Sequence, residues 1–471
     1  MTRSEQIFEL INSFKKVQET DKVTNYKNPH QLSELVNLSL GNKHGKQAIE
    51  TLVEDYISYS VKTGHKQYLN QLFSGFNQAG LVGELLAALM NTSMYTYEVA
   101  PLATLIEREV IAKMNSYTGF SNGDGIFTSG GSNSNMVAML CARHQMFPDF
   151  KQKGMSGMKP ISLFVSKLSH YSFQKGSYTL GIGSDYLYGI ETNSRGEMVP
   201  EKLNEAIELS KSKGEQPFFV AATAGTTELG AFDNIEKNGE IARKHNLWFH
   251  VDGSWGGSII LSNTYKNLFK GLNKADSFAW NAHKLMNAPL VASALLLKDN
   301  SILYNATSAS KTDYIFHEHD FKQYDLGTKS LQCGRKNDAL KVWFAWKAIG
   351  DEQYAKNIDK LMSLAQYAQS IIEKDNRLEL LAPTQTLNIN FRYNTPHIDD
   401  LNQFNRDIRN GLIEQGDVMV NYCHLGDIIS IRLVLVNQEI EKEDLDHFFT
   451  TFAKAGDELV ARQKDKTLNA G

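Results

Sequence analysis

Apolar and polar positions change rhythm twice along the chain. Up to about residue 60, apolar side chains recur at helical intervals between short polar joints, which predicts amphipathic helices. The runs Leu85 to Met90 and Leu102 to Met114 continue the helical pattern. The second opens after Pro101, whose fixed φ and missing N–H suit a first turn. From about residue 125, short β-branched or aromatic runs alternate with helical stretches. Ile161 to Ser166, Phe218 to Thr223, Trp248 to Asp252, Ser277 to Trp280 and Ala292 to Leu297 read as strands buried on both faces. Asn133 to Gln145, Pro200 to Lys213 and Ile235 to His245 read as helices between them. Such alternation predicts an α/β fold with a mostly parallel sheet covered on both sides. Past residue 350 come a long helix, Asp351 to Lys374, a strand at Leu387 to Arg392 and a helix near Leu401 to Gln415. Two strands, Val418 to Cys423 and Ile428 to Val436, then turn at Leu425-Gly426-Asp427. Three regions are expected: a helical segment over 1–95, a large α/β domain over 96–350 and a small α+β domain over 351–471. No internal repeat or low-complexity tract interrupts them.

Composition narrows the function classes. Of 471 residues, 42% are hydrophobic and 22% charged, ordinary for a globular chain with a sizeable core. A net charge of −4 offers no basic footprint for nucleic acid and no polybasic membrane patch. Any anionic substrate must then be captured by a few local cations. Cys141, Cys333 and Cys423 have no paired spacing, which fits a reducing compartment better than a disulfide framework or a metal site. Met1 to Lys15 carries Glu5 and Glu9 and no long apolar run, unlike a signal peptide. No stretch approaches the ~18 uninterrupted apolar residues that span a bilayer. A cytoplasmic protein is expected.

Four short segments carry candidate chemistry. Lys284 ends the segment Ser277 to Lys284 (SFAWNAHK) just past a strand, at the carboxyl edge where α/β sheets bind ligands. A desolvated lysine there can attack an aldehyde carbon, although most lysines are simply solvated. Asp252 closes the buried His-Val-Asp of Trp248 to Gly257 (WFHVDGSWGG). It can hold a protonated ring nitrogen, or merely cap the turn before Gly256-Gly257. Lys284 follows Asp252 by one helical crossover, which puts both on neighbouring strand ends. Thr128 to Asn135 (TSGGSNSN) opens a helix. Gly130 and Gly131 permit close backbone approach, and Ser132, Asn133 and Ser134 add donors suited to a phosphate, or to an ordinary N-cap. Neither a dinucleotide fingerprint nor a Walker sequence is present. His170, in Ser169-His170-Tyr171, could stack over an aromatic ring, or be structural.

Together these segments closely resemble the group II pyridoxal 5′-phosphate (PLP) decarboxylases, in their glutamate, aspartate and cysteine-sulfinate branch. The resemblance runs from about His65 to Val436. Its anchors are NQLFSG from Asn70, NTSMYTYEVAP from Asn91, DGIFTSGGSNSN from Asp124, HYSFQKG from His170, ATAGTTELGAFDN from Ala222, His250 to Gly257, Asn281 to Lys284, and QCGR from Gln332. It implies PLP fold type I, like aspartate aminotransferase, with a mostly parallel seven-stranded sheet. It also implies a homodimer with active sites at the subunit interface. On the same ground Lys284 is the Schiff-base lysine, Asp252 pairs with the ring nitrogen and His170 stacks on the ring. Asn133, Ser134, Asn281 and His283 surround the phosphate, and Thr227 lines the ring. This chain departs from the family pattern in Gly253-Ser254 where Ala-Ala is usual, in Ala282 for proline, and in Ala292 for a frequent cysteine.

The substrate reading rests on three further residues. Arg432 interrupts the otherwise apolar Ser430-Ile431-Arg432-Leu433 and needs an anionic partner, either a protein carboxylate or a ligand. The resemblance makes Arg432 the ligand of the substrate carboxylate and Gln71 a substrate contact. Phe73 stands where glutamate decarboxylases of this branch carry a small residue, which favours aspartate or cysteine sulfinate over glutamate. The products would be β-alanine or hypotaurine; a glutamate decarboxylase giving 4-aminobutanoate is the alternative. Tyr314, in the long polar stretch Asn305 to Tyr324, matches a loop tyrosine that protonates the product carbon from a mobile lid. More distant alternatives are a diaminobutyrate decarboxylase, an aminotransferase, or a relative that binds the cofactor without catalysis.

Overall fold

The computed structural model describes residues 2–20, 22–41 and 45–469, with side chains described as far as residue 464. The chain forms two compact units, Asn77–Lys360 and Met1–Phe76 with Leu361–Gly471.

In the unit Asn77–Lys360, seven strands make one sheet. They are β1 (Asp124–Thr128), β2 (Ile161–Ser166), β3 (Leu187–Ile190), β4 (Gln216–Thr223), β5 (Trp248–Gly253), β6 (Ser277–Asn281) and β7 (Ser293–Leu297). Their spatial order is β1-β7-β6-β5-β4-β2-β3. Every pair is parallel except those of β7, which runs antiparallel to β1 and β6. Residues of β2, β5, β6 and β7 are buried throughout, as expected of strands covered on both faces. The apolar rhythm did not separate β1 or β3. β1 begins Asp-Gly, and β3 is a short, half-exposed edge strand containing Gly189. The helices Gly131–Met146, Pro200–Ser212 and Ile235–Lys244 lie where expected. The helix expected to begin at Asp351 extends over Ala339–Lys374, broken at Gly350 (φ 75°), so the sequence reading found the turns after the break.

Because β7 reverses direction between β1 and β6, β1 and β6 are parallel to each other. The carboxyl ends of β1, β4, β5 and β6 therefore share one edge. Register locks this edge: Thr223 lies opposite Asp252, His250 opposite Ser277, and Ser293 opposite both Asn281 and Thr128.

The other unit holds a five-stranded sheet in which Tyr68–Leu69 pairs with Met419–Leu425, followed by Ile428–Val434, Asn388–Tyr393 and Leu378–Leu380. Leu401–Gln415 and Lys442–Asn469 are its later helices, and the second was not read from the sequence. Phe391 packs against Phe448, Phe449 and Phe452 at ring separations of 5.1 to 6.3 Å, anchoring that final helix. Among the described residues no helix is long and apolar enough to cross a membrane, and no cluster of metal-capable side chains forms.

Candidate active site

At the shared carboxyl edge lies a cavity of about 190 Å³. Gly131, Ser132, His170, Tyr171, Thr223, Gly225, Thr227, Asp252, Ser254, Trp255, Asn281 and Lys284 line it. Those expected residues that line it arrive by different routes. Asp252 is the penultimate residue of β5, Asn281 ends β6, and Lys284 follows within one turn, its N–H donating to the Asn281 carbonyl at 3.2 Å. His170 follows β2. The helix Gly131–Met146 starts at the rim after Gly130 (φ 139°), with no side-chain cap. The N–H groups of Asn133 and Ser134 return to the Gly130 carbonyl at 2.9 and 3.0 Å. Those of Gly131 and Ser132 open the helix beside the cavity, at its positive dipole end.

Asp252 is buried and held by donors. Its Oδ1 accepts from the Ser254 N–H at 3.0 Å and its Oδ2 from Asn135 Nδ2 at 2.8 Å. Burial alone would raise this carboxyl, but Ser254, His250 and Asn135 more than offset it and keep it below the usual range. His170 accepts at Nδ1 from the Ser172 N–H at 3.2 Å. Burial lowers its pKa and outweighs the pull of Asp252, aided by Lys284, so the ring is neutral near pH 7. A neutral imidazole, an anionic carboxylate and a lysine thus meet around one small cavity.

The walls explain why this space stays open. A Cβ on Gly131 would stand 2.6 Å from Ser254 Oγ and 2.8 Å from Asn281 Nδ2. At Gly225 (φ 95°) it would meet the Gly256 nitrogen at 2.9 Å. Gly253 also has a reason: a Cβ there would fall 2.4 Å from the Phe278 ring, so the neighbouring strand fills the space that alanine usually takes.

Three expected phosphate-side residues do not line the cavity. Ser134 is fully buried, its hydroxyl 2.7 Å from Thr128 Oγ1 and 3.0 Å from Ser293 Oγ. His283 Nδ1 takes the Ala292 N–H at 3.0 Å, and burial pulls its pKa down to about 4. Asn133 sits in the helix's first turn, half-buried. Tyr314 is 77% exposed. In the other unit, Arg432 is 6% exposed and its Nη2 donates to the Asn70 carbonyl at 3.3 Å. Gln71 is exposed beside it in sequence, and Phe73 packs on Tyr68 at 6.1 Å.

Sequence reasoning did not single out Tyr171, Thr223 and Trp255 in the lining, nor Asn135, His250 and Ser277 behind Asp252. Strand periodicity carried a signal for His250 alone. His250 and Asp252 are two apart on β5 and so share a face.

The residues fit a phosphorylated pyridine aldehyde. A lysine can bind the aldehyde carbon, an ionised carboxylate can meet a ring nitrogen, a neutral imidazole can lie against the ring, and a helix N-terminus with an amide donor can take the phosphate. Comparison with known proteins agrees. The family described as "Pyridoxal-dependent decarboxylase conserved domain" matches residues 29–394. The chain is 39% identical over 455 residues to human cysteine sulfinic acid decarboxylase, covering 93% of this chain and 92% of that one. It is 37% identical over 454 residues to the Xenopus tropicalis acidic amino acid decarboxylase GADL1, covering 93% and 88%. The crystal structure of mouse CSAD in apo form superposes with a TM-score of 0.91 at 37% identity, covering 96% of this chain and 98% of that one.

Proposed function

This chain belongs to the pyridoxal-dependent decarboxylase family, and on that premise we propose that it removes the α-carboxyl group of an acidic amino acid, with aspartate or cysteine sulfinate preferred over glutamate. It is a carboxy-lyase of PLP fold type I, and its cofactor is pyridoxal 5′-phosphate. The observation that carries the reading is the meeting of Lys284, Asp252 and His170 at one cavity on the carboxyl edge of the sheet.

When bound, the cofactor supplies an electron sink for the pair released as CO2 leaves. Lys284 attaches it and yields to the substrate amine. Asp252 holds a proton on the ring nitrogen, and His170 covers the ring. Asn281 and the start of the helix Gly131–Met146 hold the phosphate, and Thr227 borders the ring. Asn133, Ser134 and His283 support that cradle. Arg432 presents a planar fork to the side-chain carboxylate or sulfinate, with Gln71 as a second contact and Phe73 limiting length. Tyr314 delivers the proton that replaces the carboxyl group. The regions 1–95, 96–350 and 351–471 serve as dimer-forming segment, cofactor domain and small domain. A homodimer is supported by apolar side chains left exposed on each unit, among them Phe8, Leu38 and Leu40 on one and Leu89, Met90 and Leu102 on the other, and a cytoplasmic location by three cysteines without paired spacing.

A panel of aspartate, cysteine sulfinate and glutamate, with diaminobutyrate and aromatic amino acids as controls, tests the reading through CO2 release with PLP present. Turnover of the acidic substrates, absent in Lys284→Ala, is expected. Turnover confined to the controls, or keto acid in place of amine, would refute it.

A further inference from the structure

Behind Asp252 a line of buried polar groups crosses the sheet. Trp248 Nε1 donates to Ser277 Oγ at 2.9 Å, and Ser277 Oγ lies 2.8 Å from His250 Nδ1. His250 Nε2 lies 3.0 Å from Asn135 Oδ1, and Asn135 Nδ2 donates to Ser172 Oγ at 2.9 Å and Asp252 Oδ2 at 2.8 Å. Ser277, His250, Asn135 and Asp252 are all buried.

Only one polarity satisfies this line. The carboxylate can only accept, so Asn135 must turn its amide N–H₂ toward Asp252 and its oxygen toward His250. His250 must then carry its proton on Nε2 and accept at Nδ1 from the Ser277 hydroxyl. Reversing the line would press the amide oxygen against the carboxylate. His250 is fixed in this pose by Phe219, stacked at 5.7 Å, and Phe173, edge-on at 6.1 Å. Burial lowers its pKa to about 4, so it stays neutral around pH 7.

We propose that Ser277, His250 and Asn135 form a positioning relay that keeps Asp252 a purely accepting carboxylate aimed at the cofactor's ring nitrogen. The last donor is an amide, which orients the carboxylate and has no proton to give it. The inference rests on the reading of Asp252 as partner of that nitrogen. The other titratable or charged groups that bear on Asp252 are His250 on its own strand and His170 after β2, while Lys284 after β6 faces the same cavity and acts on His170.

The test uses the PLP-loaded enzyme and three variants. His250→Phe keeps the aromatic packing and removes both hydrogen bonds. His250→Gln restores an N–H for Asn135, and Asp252→Asn probes the ring-nitrogen reading itself. The readouts are the visible absorption of the bound cofactor across the neutral pH range, its dissociation constant, and kcat against KM. The wild-type spectrum should be flat with pH. In His250→Phe it should titrate, with cofactor affinity and kcat each lower by about tenfold and KM little changed, the worth of one well-placed hydrogen bond to a charge. His250→Gln should recover most of this. If His250→Phe keeps the wild-type spectrum while Asp252→Asn does not, the relay is refuted and the Asp252 reading stands. If Asp252→Asn is also silent, both fall. A merely structural role would lower thermal stability in both His250 variants and leave the spectrum unmoved, which also refutes the relay. Should His250→Phe not fold, Ser277→Ala removes a single hydroxyl and must show the same spectral change at smaller size.

Discussion

Ser293 Oγ donates to Asn281 Oδ1 at 2.6 Å across the antiparallel pair β6 and β7, where the two residues stand directly opposite. This bond decides which end of the Asn281 amide faces the cavity, and it is the N–H₂ end. Ser293 is itself steadied by Ser134, 3.0 Å away, and through it by Thr128.

Replacing Ser293 by alanine lets that amide turn over and leaves its oxygen without this donor. The PLP dissociation constant should rise about three- to tenfold, the net worth of a buried hydrogen bond. Fluorescence titration of apo-enzyme measures it. An unchanged constant would mean that Asn281 plays no part in holding the phosphate.

Substrate selection is assigned to a different set of side chains. Arg432→Met should weaken binding of acidic substrates by ~1.5–3 kcal/mol, the value of a charge-assisted pair. Phe73→Ser should move the kcat/KM ratio toward glutamate by about one to two decades, the worth of roughly one methylene of room. Steady-state kinetics on aspartate, cysteine sulfinate and glutamate check both. If neither variant alters the ranking, the acid group is read elsewhere.

Tyr314→Phe separates loss of CO2 from protonation of the product carbon. The variant should still release CO2 but make little amine. A proton delivered instead to the cofactor's C4′ carbon leaves the amino group on the cofactor, and water supplies the oxygen of the aldehyde product. Aldehyde should therefore accumulate, and activity should decay unless fresh PLP is added. Wild-type amine yield without cofactor loss would remove Tyr314 from the role.

Stability should respond to acid through His283. Its folded pKa, lowered to about 4 by burial, lies below the ordinary 6.5. Between those values the unfolded chain binds a proton that the folded chain refuses. Stability is thus intact above pH 6.5 and declines as the pH falls toward 4, by up to ~3 kcal/mol for this one group. Urea unfolding of apo-enzyme at several pH values should show the decline, and His283→Gln should remove its share while leaving that of His250, which burial lowers likewise.

Much of this was legible in the sequence, because buried parallel strands are continuous apolar runs and their ends are abrupt. Ile161–Ser166 was read to the residue. Asp252 and Lys284 were placed together because strand ends on neighbouring parallel strands must share an edge, whereas Asn281 came from the family resemblance alone. β3 was missed because a half-exposed edge strand with a glycine lacks that contrast. Ser134 and His283 show a different limit. A hydroxyl or imidazole in a motif can face the ligand or stiffen the wall, and only packing shows that Ser134 faces Thr128 and Ser293 while His283 grips Ala292. The role of His250 was hidden likewise, since its partners come from a helix over a hundred residues upstream and from the adjoining strand.

Gly131 makes the cavity switchable by a single methyl group. With Ser254 Oγ and Asn281 Nδ2 less than 3 Å from where its Cβ would stand, alanine there would act as a stopper at the mouth of the proposed phosphate cradle. Asn281, tied to Ser293, has little room to yield. A Gly131→Ala protein should fold, keep its sheet and retain no PLP after gel filtration. It would serve as a blank against which to weigh how much of the enzyme's rigidity, assembly and resistance to proteolysis is lent by the cofactor and how much belongs to the chain alone.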